Sequence, residues 1–517
     1  MKSNTHRLLA RNVFHLGIGQ VASTAIGVLL AAVLGRALGP ADFGTLYSIL
    51  AITAFVCVAV DWGQTTYIVR ETARGRSDEP ELVGAALSFR LVTMVIGCAV
   101  AVAIAWALGY SDQVVMLTLL TMVVGLPAAL YAPLGFLFRG KDRMDFDAFA
   151  NIAGKALTLI ATAIALYFGG GLTDVILMQG VGGITTLLLG VFCALQLGFP
   201  VKAPGMNVHR EILVHGAPIT AFSLVIASQP FVEIMMLSAF AGPAVVGWYG
   251  ASRTIFGIVT SPATIMVTAF FPQLSRAALS LPDLRNMIAA SARILFIVAA
   301  LAASGLYLFA DHAVAIIYGQ GRFEHTAAIL RVSAIFIPLL FFVLLLAAAI
   351  SAVGRNKAMV GVSAVRIVFC VVLGWFLIGY GQEHYGNGAI VLVIIAGVAE
   401  IPAAIACCLL LPRSAVGRAT ILHLLRAYIA ALCTVLPLSP VEPLPLWGLV
   451  PLYALVFAIA AMATRLVLPS DLQHAWDIVR SFWPAEVKSP ADARHQSAQR
   501  TSDGAGPVEA IRPSSLG

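Results

Sequence analysis

Apolar stretches of transmembrane length recur from one end of this chain to the other, and no other feature limits its fold so strongly. A bilayer core about 30 Å thick is crossed by roughly 20 helical residues. Segments that meet this standard lie at 13–38, 43–69, 83–109, 113–138, 148–168, 172–198, 211–240 and 243–274. They continue at 288–309, 326–353, 357–381, 386–411, 421–437 and 445–467. In lipid the backbone has no water to bond, so such segments must pair their N–H and C=O groups internally, as helices do. Composition closes the alternative. Of 517 residues, 60% are hydrophobic and 11% charged, against about 25% charged in a soluble domain. A soluble enzyme is excluded, and the expected fold class is an all-α polytopic membrane protein with about 14 transmembrane helices.

The charges that remain report orientation. With the N-terminus inside, the inner loops carry Arg70, Arg74, Arg76, Arg139, Lys141, Arg143, Lys202, Arg210, Arg276, Arg285, Arg355, Lys357, Arg413 and Arg418, with Lys2, Arg7 and Arg11 at the start. The outer loops carry Arg322, with Arg36 and Arg331 near outer helix ends. This asymmetry predicts cytoplasmic N- and C-termini. It also accounts for the net charge of +7 without a nucleic-acid partner, because the cations are dispersed between apolar runs. The first segment is too long for a signal-peptide core and is expected to stay as a helix. Cys57, Cys98, Cys193, Cys370, Cys407, Cys408 and Cys433 all fall in apolar stretches with no CxxC spacing, so neither a metal site nor a disulfide framework is expected. His15, His215, His312, His325 and His384 lack ligand spacing, and Gly169-Gly170-Gly171 reads as an outer turn. No ATP-binding module is present, so transport would be passive or ion-coupled.

The first six helices resemble the second six. Gly39-Pro40-Ala41-Asp42-Phe43-Gly44 reappears as Gly242-Pro243-Ala244-Val245-Val246-Gly247 at an offset of 203 residues, which also carries Arg90 onto Arg293. Leu126-Pro127 is echoed by Ile337-Pro338, and Gly140-Lys141-Asp142-Arg143 by Gly354-Arg355-Asn356-Lys357. An even number of helices per half gives both halves the same orientation, hence a pseudo-two-fold axis along the membrane normal and a cleft between lobes. The expected organisation is an N-lobe over 1–210, a C-lobe over 211–412, two additional helices over 413–468, and a cytoplasmic tail over 469–517. In the tail, Leu472, Trp476, Val479 and Trp483 form one stripe of a short interfacial helix over 471–483, and the polar remainder is expected to be disordered. The outer loop from Asp311 to Thr326 is the longest.

A charge at the bilayer centre costs at least about 2.5–3.5 kcal/mol and therefore marks function or a partner. Arg90 and Lys155 lie about two turns, roughly 11 Å, from the cytoplasmic helix ends; both a cleft position and pairing or snorkelling fit them. Arg366 sits slightly deeper and Arg253 near mid-helix. Lys155 and Arg366 stand 15 and 12 residues after the matching Gly140 and Gly354, one cation per lobe. Cations facing a cleft make an anion site. The deep acids are Asp61, Glu233 and Glu400. Asp61 is expected to partner an arginine such as Arg70. Glu233, beyond the Gln229-Pro230 kink, and Glu400 are either ion-coupling groups or counter-ions.

Several motifs then combine. Arg11-Asn12, Gly19-Gln20, Leu38 through Gly44, Asp61-Trp62-Gly63 and Arg70-Glu71-Thr72-Ala73-Arg74 resemble the bacterial oligosaccharide flippase family, exporters of O-antigen and exopolysaccharide units within the multidrug/oligosaccharidyl-lipid/polysaccharide exporter superfamily. Gly247-Trp248-Tyr249-Gly250-Ala251-Ser252-Arg253, Phe271-Pro272-Gln273-Leu274-Ser275-Arg276 and Ile317-Tyr318-Gly319 carry the resemblance through the second half, over roughly 8–465. It implies two six-helix lobes plus two helices in the bacterial inner membrane. It further implies a polyprenyl-diphosphate-linked oligosaccharide as substrate and polymerase or chain-length machinery as partners, with no cofactor and no catalytic residue. The diphosphate would be bound by Arg253 and Arg366, helped by Arg90 and Lys155. A multidrug antiporter of the same superfamily and a lipid II flippase are the alternatives. The short outer loops speak against a polysaccharide polymerase or ligase.

Overall fold

The computed structural model describes residues 2–467 except 77, 200–201, 204 and 442–445; the expectations for the tail fall outside these residues. The N-lobe runs through α1 (Lys2–Asp61), α2 (Gln64–Ala73), α3 (Glu79–Ala107), α4 (Asp112–Val124), α5 (Leu126–Gly140), α6 (Met144–Tyr167) and α7 (Leu172–Gln196). The C-lobe comprises α8 (Met206–Phe240), α9 (Pro243–Ala277), α10 (Leu281–Leu308), α11 (Ala310–Tyr318), α12 (Glu324–Ala352), α13 (Asn356–Tyr385) and α14 (Gly388–Leu410). Helices α15 (Arg418–Leu438) and α16 (Leu446–Ala463) follow and pack against α10. No strand occurs among the described residues.

Thirteen described spans are long and apolar enough to cross a membrane. One of them holds two of the expected segments. The 41 residues from Val21 to Asp61 would extend about 60 Å as one rod, twice the bilayer core. The rod is broken at Gly39, whose φ of 77° only glycine adopts freely, just before Pro40, which has no N–H to continue the ladder. The chain folds back there: Gly19 lies against Ala148 and Trp62 Nε1 donates to the Leu213 carbonyl at 3.0 Å, both toward the arginine-rich end of the bundle. Each expected segment thus has its helix, and the protein is a multi-pass membrane protein.

Two boundaries differ from the sequence reading. The second segment was expected to run to residue 69, but it stops at Asp61, where Trp62 and Gly63 both take positive φ, and α2 starts in a new direction. The expected loop after Asp311 is instead largely the helix α11. Neither break is visible in hydropathy, because both depend on backbone turns held by tertiary contacts.

Small residues set the helix spacing, as membrane packing requires. Gly154 and Gly182 let α6 and α7 meet, and Thr158 and Thr186 return their hydroxyls to the carbonyls of Gly154 and Gly182 at 3.0 and 2.8 Å. The lobes meet along α1 and α9 in a reciprocal contact. A methyl group on Gly44 would overlap the Pro243 carbonyl, and one on Gly247 would overlap that of Pro40. The 203-residue offset exchanges these two contacts, so the local pseudo-two-fold axis passes between Gly44 and Gly247. At that end Arg36 donates from Nε to the Ile317 carbonyl at 3.0 Å, and Phe43 packs edge-on against Tyr318 and Phe323. At the arginine-rich end Arg76 grips Glu211 with two hydrogen bonds of 2.6 and 2.8 Å, while Tyr67 donates to the same carboxylate. The lobes therefore touch at both ends of the bundle.

Candidate functional site

Between these two seams, the C-lobe encloses a cavity of about 240 Å³ lined by α8, α9, α12, α13 and α14. Two arginines and two glutamates face it, so it is formally neutral, but the four groups are unequally committed. Glu233 is buried on α8 and accepts from Tyr249 Oη at 2.7 Å and from Gln229 Nε2 at 3.0 Å. Pro230 in the same turn withdraws one N–H from the helix ladder. Tyr249 reaches Glu233 because α8 and α9 form a hairpin turning at Ala241: each residue is eight positions from the turn, hence at one depth.

Arg366 on α13 donates through Nη2 to Glu400 Oε1 on α14. The pair is incomplete: Arg366 Nε and Glu400 Oε2 are both buried without a hydrogen-bond partner. A buried ion pair stabilises only when its remaining donors and acceptors are also met, so this one holds unused bonding capacity at the cavity wall. Arg253 on α9 has its guanidinium 5.5 Å from the centre of the Phe256 ring. Among the described residues it makes no ion pair or hydrogen bond, and it opens onto the cavity. Gly397 brings α14 close, because a side chain there would overlap the Phe336 ring.

The structure thus gathers Arg253, Arg366, Glu233 and Glu400 around one cavity and separates the other expected site residues from it. Arg90 lies inside the N-lobe, buried, with Nη2 on Asp61, Nε on Gln64 Oε1 at 3.2 Å and Nη1 on the Ala129 carbonyl at 3.1 Å. Asp61 therefore partners Arg90, and the expected pairing with Arg70 is corrected. The break at Trp62–Gly63 carries α2 away, and Arg70 bonds the adjacent Glu71 instead. Lys155 faces a separate N-lobe cavity of about 170 Å³ with Arg139, Asp147 and Asn151. The sequence reading missed Tyr249 as the partner of Glu233. The equal spacing from the hairpin turn was the signal that could have found it.

The family described as polysaccharide biosynthesis protein matches residues 9–278, just over half of the chain. A protein of Escherichia coli (strain K12), assigned provisionally as an O-antigen transporter, is 22% identical over 279 residues, covering 53% of this chain and 66% of that protein. The chain thus matches slightly under two thirds of that relative's length. Among solved structures, the lipid II flippase MurJ in an inward closed conformation superposes with a TM-score of 0.70 at 11% identity, over 87% of this chain and 98% of that one. An inward-facing multidrug resistance MATE family transporter of the MOP superfamily gives 0.60 at 16% identity, over 76% and 96%. At these identities the structures share the fold.

Proposed function

Because the chain belongs to the polysaccharide biosynthesis protein family, we propose that it is a flippase for a polyprenyl-diphosphate-linked oligosaccharide. It would carry the unit across the bacterial inner membrane by alternating access, for O-antigen or exopolysaccharide synthesis. The single observation that carries this reading is the uncommitted Arg253 guanidinium in the C-lobe cavity, beside an Arg366–Glu400 pair with bonding capacity to spare. A guanidinium presents a planar set of donors suited to two phosphoryl oxygens at once, and hydrogen bonds between ionised partners are the strong ones.

In this reading Arg253 takes the first phosphoryl group and Arg366 the second. The anion competes with Glu400 for Arg366. A carboxylate freed in that setting is best stabilised by a proton or small cation, which makes Glu400, with Glu233 beside it, the coupling group. Asp61 and Arg90 stay paired and support the N-lobe. The arginine-rich end faces the cytoplasm, as the loop charges require, with both termini on that side. Across the membrane the unit passes to polymerase and chain-length machinery. The chain itself makes and breaks no covalent bond.

The test is Arg253→Ala in cells that depend on this chain for surface polysaccharide. Loss of a hydrogen-bonded charge contact is worth about 1.5–3 kcal/mol, so output should fall roughly tenfold or more at unchanged membrane abundance. Wild-type output from a normally inserted variant overturns the assignment.

A further inference from the structure

The N-lobe cavity has its own chemistry. Asp147 on α6 is buried and accepts three hydrogen bonds, from Arg139 Nε at 2.7 Å, Tyr131 Oη at 2.8 Å and Asn151 Nδ2 at 2.9 Å. The bond to Nε fixes the Arg139 guanidinium and leaves its two terminal nitrogens without a partner among the described residues. One helical turn beyond Asn151, Lys155 lines the same cavity, exposed, and makes no ion pair or hydrogen bond among the described residues. Ser23 and Gly19 of α1 form the opposite wall, with Gly19 close against Ala148. One carboxylate against two cations leaves the site with a net positive charge. Its free donors are the terminal nitrogens of Arg139 and the Lys155 ammonium, so it suits an acceptor-rich anion. At about 170 Å³ it is smaller than the C-lobe cavity.

Its place in the bundle adds to this. Arg139 stands in the last turn of α5, at the arginine-rich end, and Lys155 lies eleven residues into α6. The donors therefore run from that end of the bundle inward. Phospholipid and polyprenyl head groups share the phosphoryl chemistry these donors recognise.

We propose that Arg139 and Lys155 form a second phosphoryl-binding subsite, in the N-lobe, that receives the diphosphate of the lipid-linked substrate before it reaches Arg253. This rests on the flippase reading above. Asp147 is a positioning residue that holds Arg139 and Asn151 in place; Lys155 and the terminal nitrogens of Arg139 touch the anion. Loading and translocation then depend on different lobes.

Equilibrium binding to the purified full chain in detergent tests this, with polyprenyl diphosphate, phosphatidylglycerol and inorganic pyrophosphate as separate probes. Lys155→Met should weaken polyprenyl diphosphate binding about tenfold, and Lys155→Arg should restore most of it. The thermal transition should hold, because Lys155 bonds no group among the described residues. Wild-type affinity in Lys155→Met, with binding lost in Arg253→Ala, overturns the subsite and leaves the flippase reading standing. No binding of polyprenyl diphosphate by the wild-type chain overturns that reading and the subsite with it. A Lys155→Met defect confined to phosphatidylglycerol or pyrophosphate overturns the loading role. If Lys155→Met does not fold, Arg139→Lys, which keeps a cation beside Asp147 but removes the terminal nitrogens, replaces it, and unchanged polyprenyl diphosphate affinity in that variant overturns the subsite.

Discussion

Arg90–Asp61 in the N-lobe and Arg366–Glu400 in the C-lobe are the same chemical pair set in two different surroundings. Around Arg90, Gln64 and the Ala129 carbonyl take up the nitrogens that Asp61 does not reach. Around Arg366 no such neighbours occur among the described residues: its Nε and Glu400 Oε2 stay unbonded at the edge of a cavity. A closed pair is worth most to the fold and offers nothing to a ligand. An open pair contributes less to the fold but can exchange partners. The difference between the lobes is therefore one of bonding completeness, with charge and depth nearly matched.

The largest expected effect comes from breaking one partner of each pair. Asp61→Asn leaves Arg90 buried against a neutral amide, and removing one member of a buried pair costs about 3–5 kcal/mol. The variant should lose most of its membrane abundance and melt well below wild type in detergent. Glu400→Gln should insert and melt closer to wild type, since Arg366 lines a cavity and is less enclosed than Arg90, 18% against 5% exposed, yet export should stop with the loss of the exchangeable carboxylate. Equal melting shifts in the two variants would erase the distinction between closed and open pairs.

Removing both partners separates the roles further. Replacing a buried pair with apolar residues of similar volume is often neutral or stabilising. Arg90→Leu combined with Asp61→Leu should thus recover the abundance lost by Asp61→Asn, along with a large part of export. Arg366→Leu combined with Glu400→Leu should be equally abundant and inactive. Export by that second double variant, measured as surface polysaccharide, contradicts a role for the open pair in binding.

How much of this was legible in the sequence follows from which forces act locally. The membrane segments were readable because lipid imposes one requirement on every crossing residue, and each expected stretch has its helix. The turn at Trp62–Gly63 and the helix α11 escaped, since positive φ and loop packing leave no trace in hydropathy. Depth alone singled out Arg253, Arg366, Glu233 and Glu400. Their convergence on one cavity needed the packing of five helices. Arg90 shows the limit of depth as a guide: its partner is set by where the second crossing ends, so a break of two residues decides whether Asp61 serves Arg90 or Arg70. Lys155 shows the limit of the repeat, which matched it to Arg366 in depth while the fold gave each its own cavity.

A third pair extends the comparison into water, and its effect should be the smallest. Arg76 at the arginine-rich end binds Asp78 and reaches across the lobes to Glu211. The hydrogen-bonded Arg76 guanidinium holds the Asp78 carboxyl below the usual carboxylate range, against the opposing pull of partial burial. A depressed carboxylate pKa stabilises the folded state above the unfolded value, about 3.9 for Asp, and that stabilisation is lost as pH falls through the folded value. Melting temperature should therefore hold steady from neutral pH to about 5 and decline below it. Asp78→Asn should flatten part of the decline at a neutral-pH cost under about 1 kcal/mol, since solvent screens the pair. The contrast between Asp61→Asn and Asp78→Asn then tracks enclosure, the Arg90 side chain being 5% exposed and that of Arg76 19%. A neutral-pH loss in Asp78→Asn as large as that of Asp61→Asn would show that the inter-lobe grip of Arg76, rather than enclosure, sets the scale.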